Sequence, residues 1–181
     1  AMGAKDTLAD ESIFKLDRKW AGDFDDMVER HLIRVLVPYS KTFYFFDKAD
    51  QRGLTYEILK LFEKFVNKEL AKKTLKVRVM VIPTKRDELL PHLSEGFGDI
   101  AAGNLTITTE RQKLVDFSAP VYTGVDEIIV TGSASPPIKT IDDLSGKEIH
   151  VRASSSYYES LKRLNTGFEK RGKKPVKVVP A

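Results

Sequence analysis

Apolar residues dominate "LIRVLVPY", Leu32 to Tyr39, and Pro38 closes the run. A short apolar stretch bounded by a breaker predicts a strand covered on both faces of a sheet. From Thr55 the spacing changes. Ile58, Leu59, Leu61, Phe62, Phe65, Val66 and Leu70 recur at helical intervals and predict a helix with one apolar stripe. "LKVRVMVIP" then predicts a second strand, "RDELLPHLSEG" a second helix ended by Gly96, and "GDIAAG" a third strand ending at Gly103. Strand, helix, strand, helix, strand with short links is the pattern of a parallel sheet with covering helices, which makes residues 31–131 an α/β lobe.

The flanks read differently. Residues 1–30 are polar with scattered anchors, among them Leu8, Ile13, Phe14, Trp20, Phe24 and Met27, and form a lead-in with a short helix near Asp25 to Arg30. "SKTFYFFDKADQRG" reads as an aromatic loop at the sheet edge. Alternation sends two of Phe43, Tyr44, Phe45 and Phe46 into the core, and Tyr39 or Tyr44 is left to wall a cleft. "VYTGVDEIIVTG" is a long extended segment leaving the lobe, and the paired prolines of "SASPPIKT" mark a loop. Turn, strand, helix and strand follow in "IDDLSG", "KEIHVRAS", "SYYESLKRLNTGFEKRG" and "VKVVPA". Residues 132–181 are therefore expected to be part of a second α/β lobe that stops early. No internal sequence repeat is visible.

Composition narrows the function. The 181 residues hold 30 Lys and Arg against 26 Asp and Glu, a net +4 spread along the chain, which describes solvated surface and not a nucleic-acid footprint. The densest basic cluster, "KRGKKP" from Lys170 to Pro175, is read as a solvated helix end. With no cysteine, the chain holds no disulfide, thiol nucleophile or thiolate metal site. His31, His92 and His150 share no close spacing, so a zinc site is not expected, and no cofactor is called for. No apolar run approaches the ~20 residues that span a bilayer. The opening "AMG" reads as an expression remnant, which would place any export signal outside the sequence.

The chemistry concentrates after the third strand. Ligands of α/β sheets bind beyond the carboxyl ends of the strands. Asn104 to Arg111 falls at that edge, with hydroxyls on Thr106 and Thr108 and, on Arg111, a planar fork of donors that matches a carboxylate. The structural alternative is that Arg111 pairs with Glu110 or Asp116 while the threonines cap a short helix. Asp99 and Asp116, which flank the loop, are read as loop and cap residues.

The ordered set "GLTYEILKLFEKF", "GFGDIAAGNLTITTERQKLVDFSAPVYTG" and "IDDLSGKEIHVRASSSYYESL" resembles the bacterial extracellular solute-binding proteins of the polar amino acid type, from about Ile33 to the end of the chain. The resemblance implies a two-lobed, type II periplasmic binding protein-like α/β fold, closing by a hinge on a small ligand. It implies that Arg111 grips the ligand's α-carboxylate with Thr106 beside it. In the second lobe it points to Arg152, Ser155 and Ser156 ahead of a helix whose amides face the same ligand. Two departures stand out. Asn104 replaces a family glycine, and Arg86 replaces an aromatic ahead of the second helix, which would favour an acidic or larger ligand. The alternative for Arg86 is a surface pairing with Asp87 or Glu88.

"WAGDFDDMVERHLIRVLVPYSKTFYFFDKADQRGLTYEIL" further resembles the non-catalytic domain that precedes the catalytic domain in lytic murein transglycosylases of the membrane-bound F type. Glu11-Ser12-Ile13-Phe14 imitates the catalytic motif of that second domain but lacks its helical frame. The resemblance implies a periplasmic ligand-binding module that regulates an attached catalytic domain. Its partners would be an amino acid or short cell-wall peptide and a C-terminal catalytic domain of the parent protein. A free-standing importer receptor and a dehydratase on the same fold are the alternatives.

Overall fold

The computed structural model describes residues 18–71 and 75–181. The first part of the lead-in, with Glu11-Ser12-Ile13-Phe14, lies outside the described residues. The chain forms two compact units, one running to Leu105 and including Thr109–Asp116, the other made of Thr106–Thr108 and Phe117–Ala181.

In chain order the first unit holds α1 (Phe24–Glu29), β1 (Leu32–Pro38), β2 (Phe45–Asp47), β3 (Asp50–Arg52), α2 (Leu54–Glu69), β4 (Arg78–Thr84), α3 (Leu89–Ser94), β5 (Ile100–Ala101) and the single turn α4 (Thr109–Gln112). The strands β4, β1 and β5 lie side by side in that order, all parallel, with Leu32 opposite Arg78, Pro38 opposite Thr84 and Val35 opposite Ile100. β1 is the central strand. Ile33, Val35, Leu36 and Val37 have no exposed surface, as an apolar run covered on both faces requires.

The central strand also carries a charge. Arg34 is fully buried, and its guanidinium donates to Asp99 Oδ1 at 2.9 Å, to the Gly96 carbonyl at 2.9 Å and to the Arg18 carbonyl at 2.8 Å. Asp99, also without exposed side-chain surface, accepts from the Arg34 backbone N–H at 2.7 Å and pairs with Arg30. The Arg30 guanidinium in turn lies 3.6 Å from the centroid of the Trp20 ring. Burial draws Arg30 below its usual value, against the pull of Asp99. Asp99 is thus the hub of a buried network, which corrects its reading as a loop or cap residue.

The stripe expected on α2 divides in two. Leu59 and Val66 are buried, and Tyr56, Phe62 and Leu70 pack on the same cluster, whereas Leu54, Ile58, Leu61 and Phe65 are each more than half exposed. The apolar positions wrap too far round the helix for one flat sheet to cover, since a core-facing stripe is only about 100° wide. Gly53 starts the helix at φ +125°. A Cβ there would lie 2.3 Å from the Phe43 carbonyl oxygen, so only glycine lets the aromatic segment dock against the helix start.

That segment is more ordered than a loop. Phe45–Asp47 pairs antiparallel with Asp50–Arg52, and Lys48, at φ 57°, makes the turn. Tyr44 turns inward, 2% exposed, with its hydroxyl donating to Gln51 Oε1 at 2.8 Å. α3 is shorter than expected, beginning at Leu89 and not at Arg86. Pro91 fits its first turn, where no backbone donor is needed.

The second unit holds a 3-10 turn (Ile141–Leu144), β6 (Glu148–Val151), α5 (Ser156–Lys170) and β7 (Lys177–Pro180). β6 and β7 are parallel, and Leu144, Val151, Leu161, Phe168 and Val176 form the core beneath α5. Of the basic cluster, Arg171 and Lys173 both close on Asp142, at 2.8 and 2.6 Å, and the Lys173 hydrogen bond holds Asp142 below its usual value. The "VYTGVDEIIVTG" segment joins no helix or strand, and Val121, Tyr122, Val125, Ile128 and Val130 are 76–87% exposed.

One device occurs in both units. Asn67 of α2 donates to the Val77 carbonyl and accepts from its N–H, both at 2.8 Å, just before β4. Asn165 of α5 does the same to Val176 just before β7, at 2.9 and 2.7 Å. Each asparagine satisfies both backbone groups of a buried valine and so sets where the returning strand begins.

Two outcomes test this description. Asp99→Asn leaves Arg34 buried without its counter-charge and should cost about 3–5 kcal/mol in urea unfolding; a cost under about 1 kcal/mol would show the network to be dispensable. Leu59→Ala should cost about 2–4 kcal/mol, while Leu61→Ala, two residues on and on the exposed face, should cost less than about 1 kcal/mol. Equal losses would contradict the division of the α2 stripe.

Candidate functional site

The loops that leave the carboxyl ends of β1, β4 and β5 gather at one edge of the first unit's sheet, the edge where α/β folds bind ligands. Each loop is shaped by its own residues. After β5, a Cβ at Gly103 would meet Pro38 Cγ at 2.9 Å and Leu89 Cδ1 at 3.1 Å, so the glycine lets this backbone press against the end of β1 and the start of α3. The next residue, Asn104, holds φ 49°, a left-handed conformation that asparagine tolerates better than most residues. The asparagine thus keeps a turn there that a glycine would also allow.

Arg111 sits in α4 and is 7% exposed. An arginine brings five N–H donors in a fixed fork, a set that a planar anion can accept in pairs. Arg86 lies in the turn ahead of α3. One of its nitrogens donates to the Asn104 carbonyl at 3.4 Å, and its guanidinium carbon stands 5.3 Å from the Phe43 ring centroid. The first unit therefore brings Arg86 and Asn104 together.

Between the β1 and β4 loops lies a groove of ≈ 330 Å3 walled by Tyr39, Ser40, Phe43, Thr84, Lys85 and Arg86. The Thr84 hydroxyl is committed to the Ile82 carbonyl at 3.0 Å, and Ser40 Oγ accepts from the Phe43 N–H at 3.1 Å. Lys85 pairs with Glu88 at 3.2 Å. Tyr39, 61% exposed, faces the opening, whereas Tyr44 is packed in the core with its phenol pushed up by burial. Tyr44 therefore offers no surface to a ligand, which corrects its place among the binding residues: the inward half of the aromatic alternation falls on it. A second groove, ≈ 490 Å3, runs along Leu36, Met80, Ile82 and Phe97 and is also lined by Thr84, Glu88 and His92.

In the second unit, Thr106 and Ser156 come together, the Ser156 hydroxyl donating to Thr106 Oγ1 at 3.1 Å. Ser155 is the N-cap of α5. Its hydroxyl accepts from the Tyr158 N–H at 3.3 Å and donates to the Arg152 carbonyl at 2.6 Å. Both serines are buried, while Arg152 is exposed beside them. Ser155 thus shapes the helix start, and the first-turn amides of α5 are what it presents. Sequence reasoning missed Arg34 and Asp99 as the residues that hold the β5 edge. The signal was an arginine inside an otherwise apolar strand, a position that requires a buried counter-charge.

Known proteins match this arrangement. Residues 34–175 fit the sequence profile of the bacterial extracellular solute-binding proteins, family 3. The chain is 35% identical over 111 residues to the L-cystine-binding protein TcyJ of Escherichia coli K12, covering 61% of this chain and 41% of that protein. It is 29% identical over 132 residues to the membrane-bound lytic murein transglycosylase F of Desulfosudis oleivorans, covering 73% of this chain and 27% of that protein. Among solved structures, it matches the ancestral amino acid-binding protein AncCDT-1, a precursor of cyclohexadienyl dehydratase, with a TM-score of 0.64 and 27% identity over 87% of this chain and 63% of that one. The chain spans less than half the length of the two curated relatives. Its fold is part of that of the type II periplasmic amino acid-binding proteins. The chain belongs to the bacterial extracellular solute-binding proteins, family 3.

Proposed function

We propose that this chain is a ligand-binding module, without catalysis of its own, that takes an amino acid or a short cell-wall peptide by its carboxylate. The observation that carries this reading is Arg111, a buried arginine at the carboxyl edge of a parallel sheet in a solute-binding protein. Burial removes competing water, so a bidentate, charge-assisted pair with a carboxylate is stronger there than on the surface. Thr106 and the Asn104 turn precede the arginine in the same loop. In the second unit, Arg152, Ser155 and Ser156 stand at the start of α5, where helix amides favour an anion.

Similarity to a lytic transglycosylase over 73% of the chain supports a regulatory module ahead of a catalytic domain, working in the periplasm. Ligand binding would then bias that partner domain by as much as the ligand's affinity differs between module states. Similarity to the L-cystine-binding protein supports the alternative, a receptor that delivers its ligand to an importer. A dehydratase finds its support in AncCDT-1, itself an amino acid-binding protein.

Calorimetric titration against the free L-amino acids and peptidoglycan stem peptides should show saturable binding. Arg111→Ala should weaken it about 100-fold, the loss of two charge-assisted hydrogen bonds at roughly 1.5 kcal/mol each. Affinity unchanged in Arg111→Ala would remove Arg111 from the site. Preference for stem peptides supports the cell-wall module, and preference for a free amino acid supports the receptor.

A further inference from the structure

The outer half of the α2 stripe has a geometry of its own. Leu54, Ile58, Leu61 and Phe65 are 54–63% exposed and follow one another at steps of four, three and four residues. At about 3.6 residues per turn they fall within an arc of about 60°. A core-facing stripe is wider, about 100°, and steps alternating between three and four make the seam along which two helices pack knobs into holes. So narrow a stripe asks for another helix, where a lipid surface would be met by a broader apolar face.

The charges beside the seam say which helix. Glu57 and Lys64 stand on one flank, each just before a seam residue, and both are exposed. In an antiparallel pair of α2 helices with Leu54 against Phe65 and Ile58 against Leu61, Glu57 of each copy falls within one turn of Lys64 of the other. The flank is thus its own complement about a two-fold axis, and the helix dipoles oppose favourably. A parallel pair would set Glu57 beside Phe62 instead. Glu57 also meets Lys60 of its own helix at 3.4 Å, an exposed contact that leaves its carboxylate room for a second donor.

We propose that the outer face of α2 is a self-association surface, through which two copies of this chain pair antiparallel along Leu54, Ile58, Leu61 and Phe65. The four side chains bury on the order of 400 Å2 per copy, about half of one side of a standard interface, so the dimer is weak and exchanges freely with the monomer.

The test is sedimentation equilibrium of the 181-residue chain from about 10 µM to about 1 mM at low ionic strength. A reversible monomer–dimer equilibrium should appear within that range. Leu61→Glu should weaken it ten-fold or more, and because Leu61 is exposed the variant should melt as the wild type does. Glu57→Lys and Lys64→Glu each set like charges together at two symmetric places and should each weaken it about five-fold. The double exchange Glu57→Lys with Lys64→Glu should return it to within about two-fold of the wild type, which a loss of folding would not do. A chain that stays monomeric up to about 1 mM overturns the proposal and leaves the seam to a helix of another protein. A dimer that survives Leu61→Glu is carried by a different face and overturns it as well. Single exchanges without effect, or a double exchange that fails to restore, would refute the antiparallel pairing.

Discussion

A full charge at the centre of a parallel sheet is what the first unit is organised around. Removing an arginine from water is costly unless its donors are met, and Arg34 meets them with Asp99 and with main-chain carbonyls from the lead-in and from the end of α3. Each partner is thereby fixed. Asp99 stands one residue before β5, so the pair locks that short strand against β1 although only two residues of it join the ladder. Gly96 accepts both from Arg34 and from the Trp20 N–H, which ties the lead-in to the turn after α3. The direction in which the Asn104 loop leaves the sheet follows from these contacts.

The asparagine clamps set the other boundary. In a strand, helix, strand unit the helix can slide along the sheet until something fixes where the next strand starts. Asn67 and Asn165 do this by taking both polar groups of the valine that precedes β4 and β7. The same solution appears in both units without a sequence repeat, because it needs only one amide side chain near the helix end and one buried residue ahead of the strand. Loops at the carboxyl ends are then free to vary while the frame stays in register.

Much of this was legible in the sequence. Strand β1 and helices α2 and α5 follow from apolar runs and helical spacing, and the parallel arrangement follows from their alternation. Arg111 was placed at the sheet edge by the position of Gly103 and the loop after it. What was not legible depended on tertiary partners. The pattern of α2 marks Ile58, Leu61 and Phe65 as apolar but cannot say how wide the sheet is that should cover them, and three strands leave them outside. The hairpin at Phe45–Arg52 turns on Lys48 in a left-handed conformation that its residue type does not announce. Asp99 and Arg34 are far apart in sequence, and neither reveals the other. Tyr44 could face either way by alternation alone, and the packing of its ring against Tyr56, with centroids 6.0 Å apart, decides for the core.

Arg111 and Arg86 differ in how the first unit holds them. Arg111 is buried, so its charge is little screened by salt. Arg86 is only half-buried and rests on an aromatic face, where salt screens its charge more. The frame residues must stay together for the sheet edge to form at all, whereas Arg86 sits in a loop, against the Asn104 carbonyl and the ring of Phe43. Exchanging it should leave Arg34, Asp99 and the strands they hold undisturbed.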